Sequence, residues 1–260
     1  MGYLRETIAL RARWRRCRSA WQDHLAHSRG LIERAIAGCP RRRVAMLLGA
    51  GLLLDVPVEA LSRAFERVLL VDILPLARVR RQLARFGNVE LIAGDATGVV
   101  DELHRRVRAG ARPLVLPTPG NPGLYRVPGL DLVVSANLLS QLPVQPIAWL
   151  DKIGLDGLGL GADEVVAFAR ALIRAHLDDL SGLDCAVALI ADVERRRIDR
   201  SGAVVERDDA LIGVELPWPT EHWIWRIAPA PELDRHDDWE NRVAGIASLP
   251  RRVRAAAPGD

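Results

Sequence analysis

Between residues 44 and 135 the chain alternates short apolar runs with segments of helical period, and this alternation leaves few folds open. Val44-Ala45-Met46-Leu47-Leu48, Val68–Val71, Val89–Ala93 and Leu132–Ser135 are too short for helices and largely apolar on both sides of a pleat. Such runs suit strands buried on both faces of a parallel sheet. Between them, Val58, Leu61 and Phe65, then Leu76 to Phe86, then Val99, Val100, Leu103 and Val107 keep a helical spacing. Pro57 is tolerated in a first turn, and Gly87 and Gly110 end the second and third of these helices. Strands separated by helices of this length imply βαβ units and a mainly parallel sheet.

The flanks extend the pattern. Residues 4–38 read as helix, with a buried stripe at Leu25, Leu31, Ile32, Ala35 and Ile36, stopped by Gly38 and Pro40. Residues 162–180 read as a long amphipathic helix, and Ala186–Ile190 as a fifth strand. The charged stretch 193–210 suggests a hairpin around Ser201-Gly202. Ala210–Leu216 and His222–Ile227, joined by Pro217-Trp218-Pro219-Thr220-Glu221, suggest an antiparallel pair. The expected organisation is an N-terminal helical segment, 1–40, a core domain, 41–230, and a tail, 231–260, whose last dozen residues read as poorly tied down.

Composition narrows the partners. The chain of 260 residues has no apolar run long enough for a membrane span, and Met1-Gly2-Tyr3-Leu4-Arg5-Glu6 lacks the apolar region of a secretory signal. Cys17, Cys39 and Cys185 are too far apart for a metal or disulfide framework, so no metal is expected and a reducing cytoplasm is the natural setting. Lys152 is the single lysine. Arginines cluster at Arg11, Arg13, Arg15, Arg16 and Arg18, at Arg41–Arg43, and at Arg251, Arg252 and Arg254. A net charge of only +3, with acids interspersed, favours solvated surface over a phosphate-tracking face.

Three features close the first three strands, where open α/β sheets bind ligands. Gly49-Ala50-Gly51 allows a sharp turn and close backbone approach. Asp72, 21 residues past Gly51, can accept from both hydroxyls of a ribose. Gly94-Asp95-Ala96 places a carboxylate where an exocyclic adenine amine can donate.

In this order the stretch resembles the class I S-adenosylmethionine-dependent methyltransferases. Val44–Gly51 resembles their glycine-rich first motif, Val71-Asp72 the acidic end of strand two, and Ala93-Gly94-Asp95-Ala96 the adenine-side motif. Asp131 to Leu142 resembles the fourth motif, and the terminal strand pair fits that family's antiparallel addition. The resemblance spans about residues 44–228. It implies an α/β fold, a Rossmann-like mainly parallel sheet with helices on both faces and a C-terminal antiparallel strand pair. It also implies S-adenosylmethionine as cofactor and methyl transfer as activity. Gly49, Ala50 and Gly51 would lie against the methionyl part, Asp72 and Ile73 on the ribose side, Asp95 and Ala96 on the adenine side, and Ser135 at the end of strand four. The chain departs from the family at Leu47, where an acid is usual, and at Leu53, where a third glycine is usual. Asp55 reads either as a carboxylate for the methionyl amine or as a helix N-cap.

Methyl transfer asks for alignment more than for covalent help. Asn137, just after strand four, is the candidate catalytic residue, with a strand-end cap as its alternative. His24 and His27 share a helix face and read as surface histidines able to reach a substrate. Trp218, Trp223 and Trp225 read as packing or pocket lining. A small-molecule substrate is favoured over nucleic acid. The rival readings are a nicotinamide-dependent oxidoreductase, for which no tyrosine–lysine pair exists, and a non-catalytic binding protein.

Overall fold

The computed structural model describes residues 1–216 and 221–250. Two helices come first, α1 (Tyr3–Arg16) and α2 (Arg18–Gly38). Then come β1 (Val44–Leu48), α3 (Val58–Ala64), β2 (Arg67–Asp72), α4 (Ala77–Leu83), β3 (Val89–Ala93), α5 (Val100–Ala109) and β4 (Leu130–Ala136). Helices α6 (Val144–Ile153), α7 (Leu155–Leu158) and α8 (Ala162–Ser181) lead to β5 (Ala186–Ile198). The chain ends its sheet with β6 (Val204–Asp209), β7 (Glu221–Ala228) and β8 (Asp238–Ile246).

The strands form one sheet in the order β3-β2-β1-β4-β5-β8-β7, with β6 paired to β5 beside this path. Strands β1 to β5 run parallel, and β8 is antiparallel to both β5 and β7. The first five positions are those of a Rossmann-like sheet. The period-two alternation of the strands feeds two separate cores. Val44, Met46 and Leu48 face α5 to α8 together with Val133 and Leu189. Ala45 and Leu47 face α2, α3 and α4 together with Leu70 and Val134. Helices therefore cover both faces, as the continuous apolar runs predict. No helix among the described residues is long and apolar enough to cross a membrane.

The structure corrects the sequence reading in four places. The helix expected over 4–38 breaks at Cys17 (φ −103°, ψ 26°). Beyond that break α1, which has no buried residue, lies over the carboxyl ends of the parallel strands. β5 continues eight residues past Ile190, pairing through Glu194–Ile198 with β6. The expected hairpin turn at Ser201-Gly202 is present. Ala210–Leu216 is not a strand: Asp209 accepts backbone N–H groups of Leu211 and Gly213 and turns the chain. The partner of β7 is instead β8, inside the segment expected to be a tail, and β8 lies in the sheet interior. Trp218 and the arginines at 251, 252 and 254 lie outside the described residues.

Gly245 shows how tightly α2 sits on β8. A Cβ there would overlap Leu31 and lie 2.6 Å from the Trp223 ring. We expect Gly245→Ala to cost about 1–3 kcal/mol through overpacking. Thermal unfolding followed by circular dichroism should show a lower midpoint; an unchanged midpoint would mean that the helix shifts freely.

Candidate active site

Two adjoining hollows open at the carboxyl ends of the parallel strands, beneath α1. The first is walled by Leu48 and Gly49 after β1, Asp72 and Ile73 after β2, and Asp95 and Ala96 after β3. Its roof is α1, through Tyr3, Glu6 and Thr7. The second is walled by Gly51, Asp55, Asn137, Asp192 and Trp225, with Leu10 of α1 and Trp21, His24 and Leu25 of α2. Glu6, Thr7, Gly49, Leu138 and Gln141 border both.

Backbone conformation explains the glycines of the first hollow. Gly49 has φ +80°, and a Cβ would lie 2.7 Å from the Ala136 carbonyl oxygen. A Cβ on Gly94 would lie 2.6 Å from the Val71 side chain. Asp72 accepts from the Gly51 N–H at 2.8 Å with one oxygen and from the Leu74 N–H at 2.8 Å with the other. A carboxylate offers about four lone-pair positions, so about two remain for a ligand. Asp95 is more committed. Its Oδ1 accepts from the backbone and hydroxyl of Thr97 (2.8 and 2.5 Å), and its Oδ2 from the Val100 N–H at 2.9 Å, opening α5. About one position is left on it.

The second hollow holds several polar groups under partial or full burial. Asn137 has φ +50°, the left-handed region that asparagine tolerates better than most residues, and its N–H donates to the Ile190 carbonyl at 2.9 Å. This turn delivers its amide to the chamber, where Nδ2 donates to Asp55. Burial pushes the Asp55 carboxyl above its ordinary range. Helix α3 has no side-chain cap, so the N-cap reading of Asp55 does not hold. His24 is 1% exposed, stacks on Trp225 at 4.0 Å, and accepts the Trp223 indole N–H on Nδ1 at 3.1 Å. Burial lowers its pKa to about 3, so the ring is neutral. It is thus a wall of the chamber and not a surface residue, whereas His27 is exposed and stacks on Trp223.

No sequence motif marks Asp192, which follows a fully apolar run and opens a charged hairpin. It is 3% exposed. Ser140 and Asn241 favour its charged form, and its Oδ1 has no hydrogen-bond partner. Burial raises its pKa to about 7, opposed by Arg195.

Gly49, Gly51, Asp72, Ile73, Asp95, Ala96 and Asn137 therefore meet around these hollows, and two expected members do not. Ala50 is buried, with its N–H turned to the Val71 carbonyl at 3.3 Å. Ser135 is fully buried, and its hydroxyl pairs with His176 Nε2 at 3.0 Å on the α8 side. In a strand, neighbours point to opposite faces, so Ser135 points into the α8 layer rather than into the cleft. Leu53, in the third-glycine position, keeps a glycine-like φ of +60°.

No family model matches the chain, and no curated protein matches it. Among solved structures it is similar to the 23S rRNA methyltransferase ErmE (12% identity, TM-score 0.34, 89% of this chain and 71% of that chain). It is also similar to DhpI in complex with SAH (14% identity, TM-score 0.36, 95% of both chains). A third is the 1,6-didemethyltoxoflavin-N1-methyltransferase of Burkholderia thailandensis with bound 1,6-didemethyltoxoflavin and S-adenosylhomocysteine (13% identity, TM-score 0.34, 87% of this chain and 84% of that chain). At scores this low the fold is read from the strand order itself.

The buried His176 gives a test of the packing behind the site. Burial lowers its pKa to about 4, below the unfolded value of 6.5. The unfolded chain therefore binds a proton that the folded chain refuses as pH falls below 6.5, and stability is lost there. Relative to His176→Gln, the parent should lose about 2 kcal/mol between pH 7.5 and pH 5. Urea unfolding at the two pH values measures this; a constant difference between the proteins would show that His176 charges freely in the fold.

Proposed function

We propose that this chain is an S-adenosylmethionine-dependent methyltransferase acting on a small molecule. The observation that carries this reading is the shared wall: a cleft bordered by Asp72 and Asp95 opens beside a second chamber across Gly49 and Leu138. A transfer reaction needs two bound partners in contact, with water kept out. When bound, S-adenosylmethionine supplies a methyl group already activated on a sulfonium.

The residues fit such a cofactor. Asp72 holds the ribose hydroxyls with its remaining lone pairs, while its bonds to Gly51 and Leu74 keep it oriented. Asp95 and Ala96 border the adenine, with Ile73 beside the ribose. Gly49 and Gly51 give the methionyl part close access to backbone. Asn137 faces the chamber where the acceptor sits. Tyr3, Glu6 and Thr7 of α1 close the cleft over the cofactor. One observation favours the alternative of a binding protein without catalysis: Leu53 occupies a backbone conformation suited to glycine, at a cost of about 1–2 kcal/mol.

Titration calorimetry with S-adenosylhomocysteine and with NAD tests the proposal. We expect binding of the former and little of the latter; tight NAD binding without response to the adenosyl ligand would reject it. Asp72→Asn should weaken adenosyl binding by about ten- to a hundredfold, from lost charge-assisted hydrogen bonds. Because Asp72 also ties Gly51 to Leu74, a modest loss of stability should accompany it.

The pairing of some of the arginines favours a small acceptor. Arg16 is bidentate to Glu232, Arg34 pairs with Glu221, and Arg43 is bidentate to Asp131, which is held well below the usual carboxylate range by it. Charges satisfied internally are poor phosphate ligands. Filter binding with tRNA and duplex DNA at two salt concentrations should show no appreciable affinity at physiological salt. Submicromolar, salt-sensitive binding would move the acceptor class to nucleic acid.

A further inference from the structure

The second chamber has an apolar rim and an acidic floor. Leu10, Trp21, Leu25 and Leu52 line its sides. Its floor carries two carboxyl groups, Asp55 and Asp192, close enough for each charge to oppose the other. Asp192 is nearly fully buried, borders the chamber, and keeps Oδ1 without a hydrogen-bond partner. A buried acceptor in that state carries an uncompensated desolvation penalty until a donor pairs with the carboxyl. An incoming carboxylate or phosphate would meet like charge there. An alcohol would supply one donor, whereas an ammonium supplies several donors and a compensating charge. Two arginines also border the chamber: Arg195 is exposed, and Arg13, whose Nε has no hydrogen-bond partner, lies 3.8 Å from Glu232.

Resting on the methyltransferase reading of the first hollow, we propose that the second chamber takes an amine on an apolar body and that Asp192 removes the proton from its nitrogen. An ammonium has no lone pair, so it cannot attack carbon until a proton leaves. The Asp192 carboxylate accepts that proton and becomes a carboxylic acid. The freed nitrogen lone pair then forms the nitrogen–carbon bond as the carbon–sulfur bond breaks, its electron pair staying on sulfur. Positive charge passes from sulfur to nitrogen, and the sulfur product is a neutral thioether. Asp192 returns its proton to water when the product leaves. A carboxyl that titrates near neutrality suits this exchange better than an ordinary aspartate.

The groups around Asp192 fix the sign of its pH dependence. Arg195 on β5 favours its charge, as do Asn241 of β8 and Ser140, and Asp55 on the β1–α3 loop opposes it. Glu6, Arg13 and the neutral His24 complete the walls. An alkyl amine stays protonated throughout, with a pKa near that of lysine, about 10.4. Amine affinity should therefore rise as pH climbs through about 7 and Asp192 ionises.

The experiment is calorimetry on the full chain saturated with S-adenosylhomocysteine, using phenethylamine, 2-phenylethanol and 3-phenylpropionate as probes. We expect the amine to bind at least about tenfold tighter than either isostere, as one charge-assisted hydrogen bond allows. Its affinity should rise from pH 6 to pH 8, and Asp192→Asn should abolish both the preference and the rise. Adenosyl binding by Asp192→Asn should stay unchanged, which shows that the variant is folded. Equal or weaker binding of the amine, or no binding of it, overturns the amine proposal while leaving the cofactor reading intact. Failure of the parent to bind S-adenosylhomocysteine rejects both.

Discussion

The carboxylate of Asp72 accepts from two backbone N–H groups that belong to different loops, one after β1 and one after β2. Charge-assisted bonds of this kind are about twice as strong as neutral ones. They hold the Gly49–Gly51 turn against the end of the neighbouring strand, and that turn in turn sets the wall between the two hollows. The parallel register of β1 with β2 brings the two ends level, Leu48 beside Val71. Without that register the carboxylate would not reach the turn, and the cleft would have no shared border with the chamber behind it.

The chamber is built by a second constraint, the docking of α2 on the antiparallel strands. Trp21 meets Trp225 edge-on at 4.9 Å and donates its indole N–H to the Ile227 carbonyl at 3.0 Å. His24, one turn later on the helix, lies flat on the same Trp225. Aromatic contacts of this geometry are worth about 0.5–1.5 kcal/mol each beyond the area they bury. They tie the start of the chain to its end, so the acidic floor provided by β5 has a fixed lid of apolar side chains.

The parallel half of the fold was legible because its strands are largely apolar runs, the first three closed by glycine or acid, a pattern that few structures can accept. β1 and β3 fall on their expected residues, and β2 and β4 extend by a residue or two. The antiparallel half was not. β8 begins Asp238-Trp239-Glu240-Asn241-Arg242, a sequence that reads as loop, and is a strand because β5 and β7 flank it. The outer part of β5 reads as a charged hairpin, and its strand pairing is supported across the ladder by ion pairs such as Arg197 with Glu206. Of the site, Gly49, Asp72, Asp95 and Asn137 could be placed from motif order alone. Ser135 could not, because a strand's facing is settled by its neighbours in the sheet. Asp192 gives no signal in the sequence: one aspartate between an apolar run and a charged hairpin becomes distinctive only when folding buries it.

Helix α1 has no buried residue, yet it borders both hollows, and its far end is fastened to the β7–β8 connection by Arg16 and Glu232. Glu6 and Thr7 are common to the two walls. A molecule that draws α1 inward on one side thereby reshapes the other side as well. The free-energy coupling between two such occupants is reciprocal by thermodynamic necessity. Under the proposed two-ligand reading, this helix is the segment through which one occupant would bear on the binding of the other.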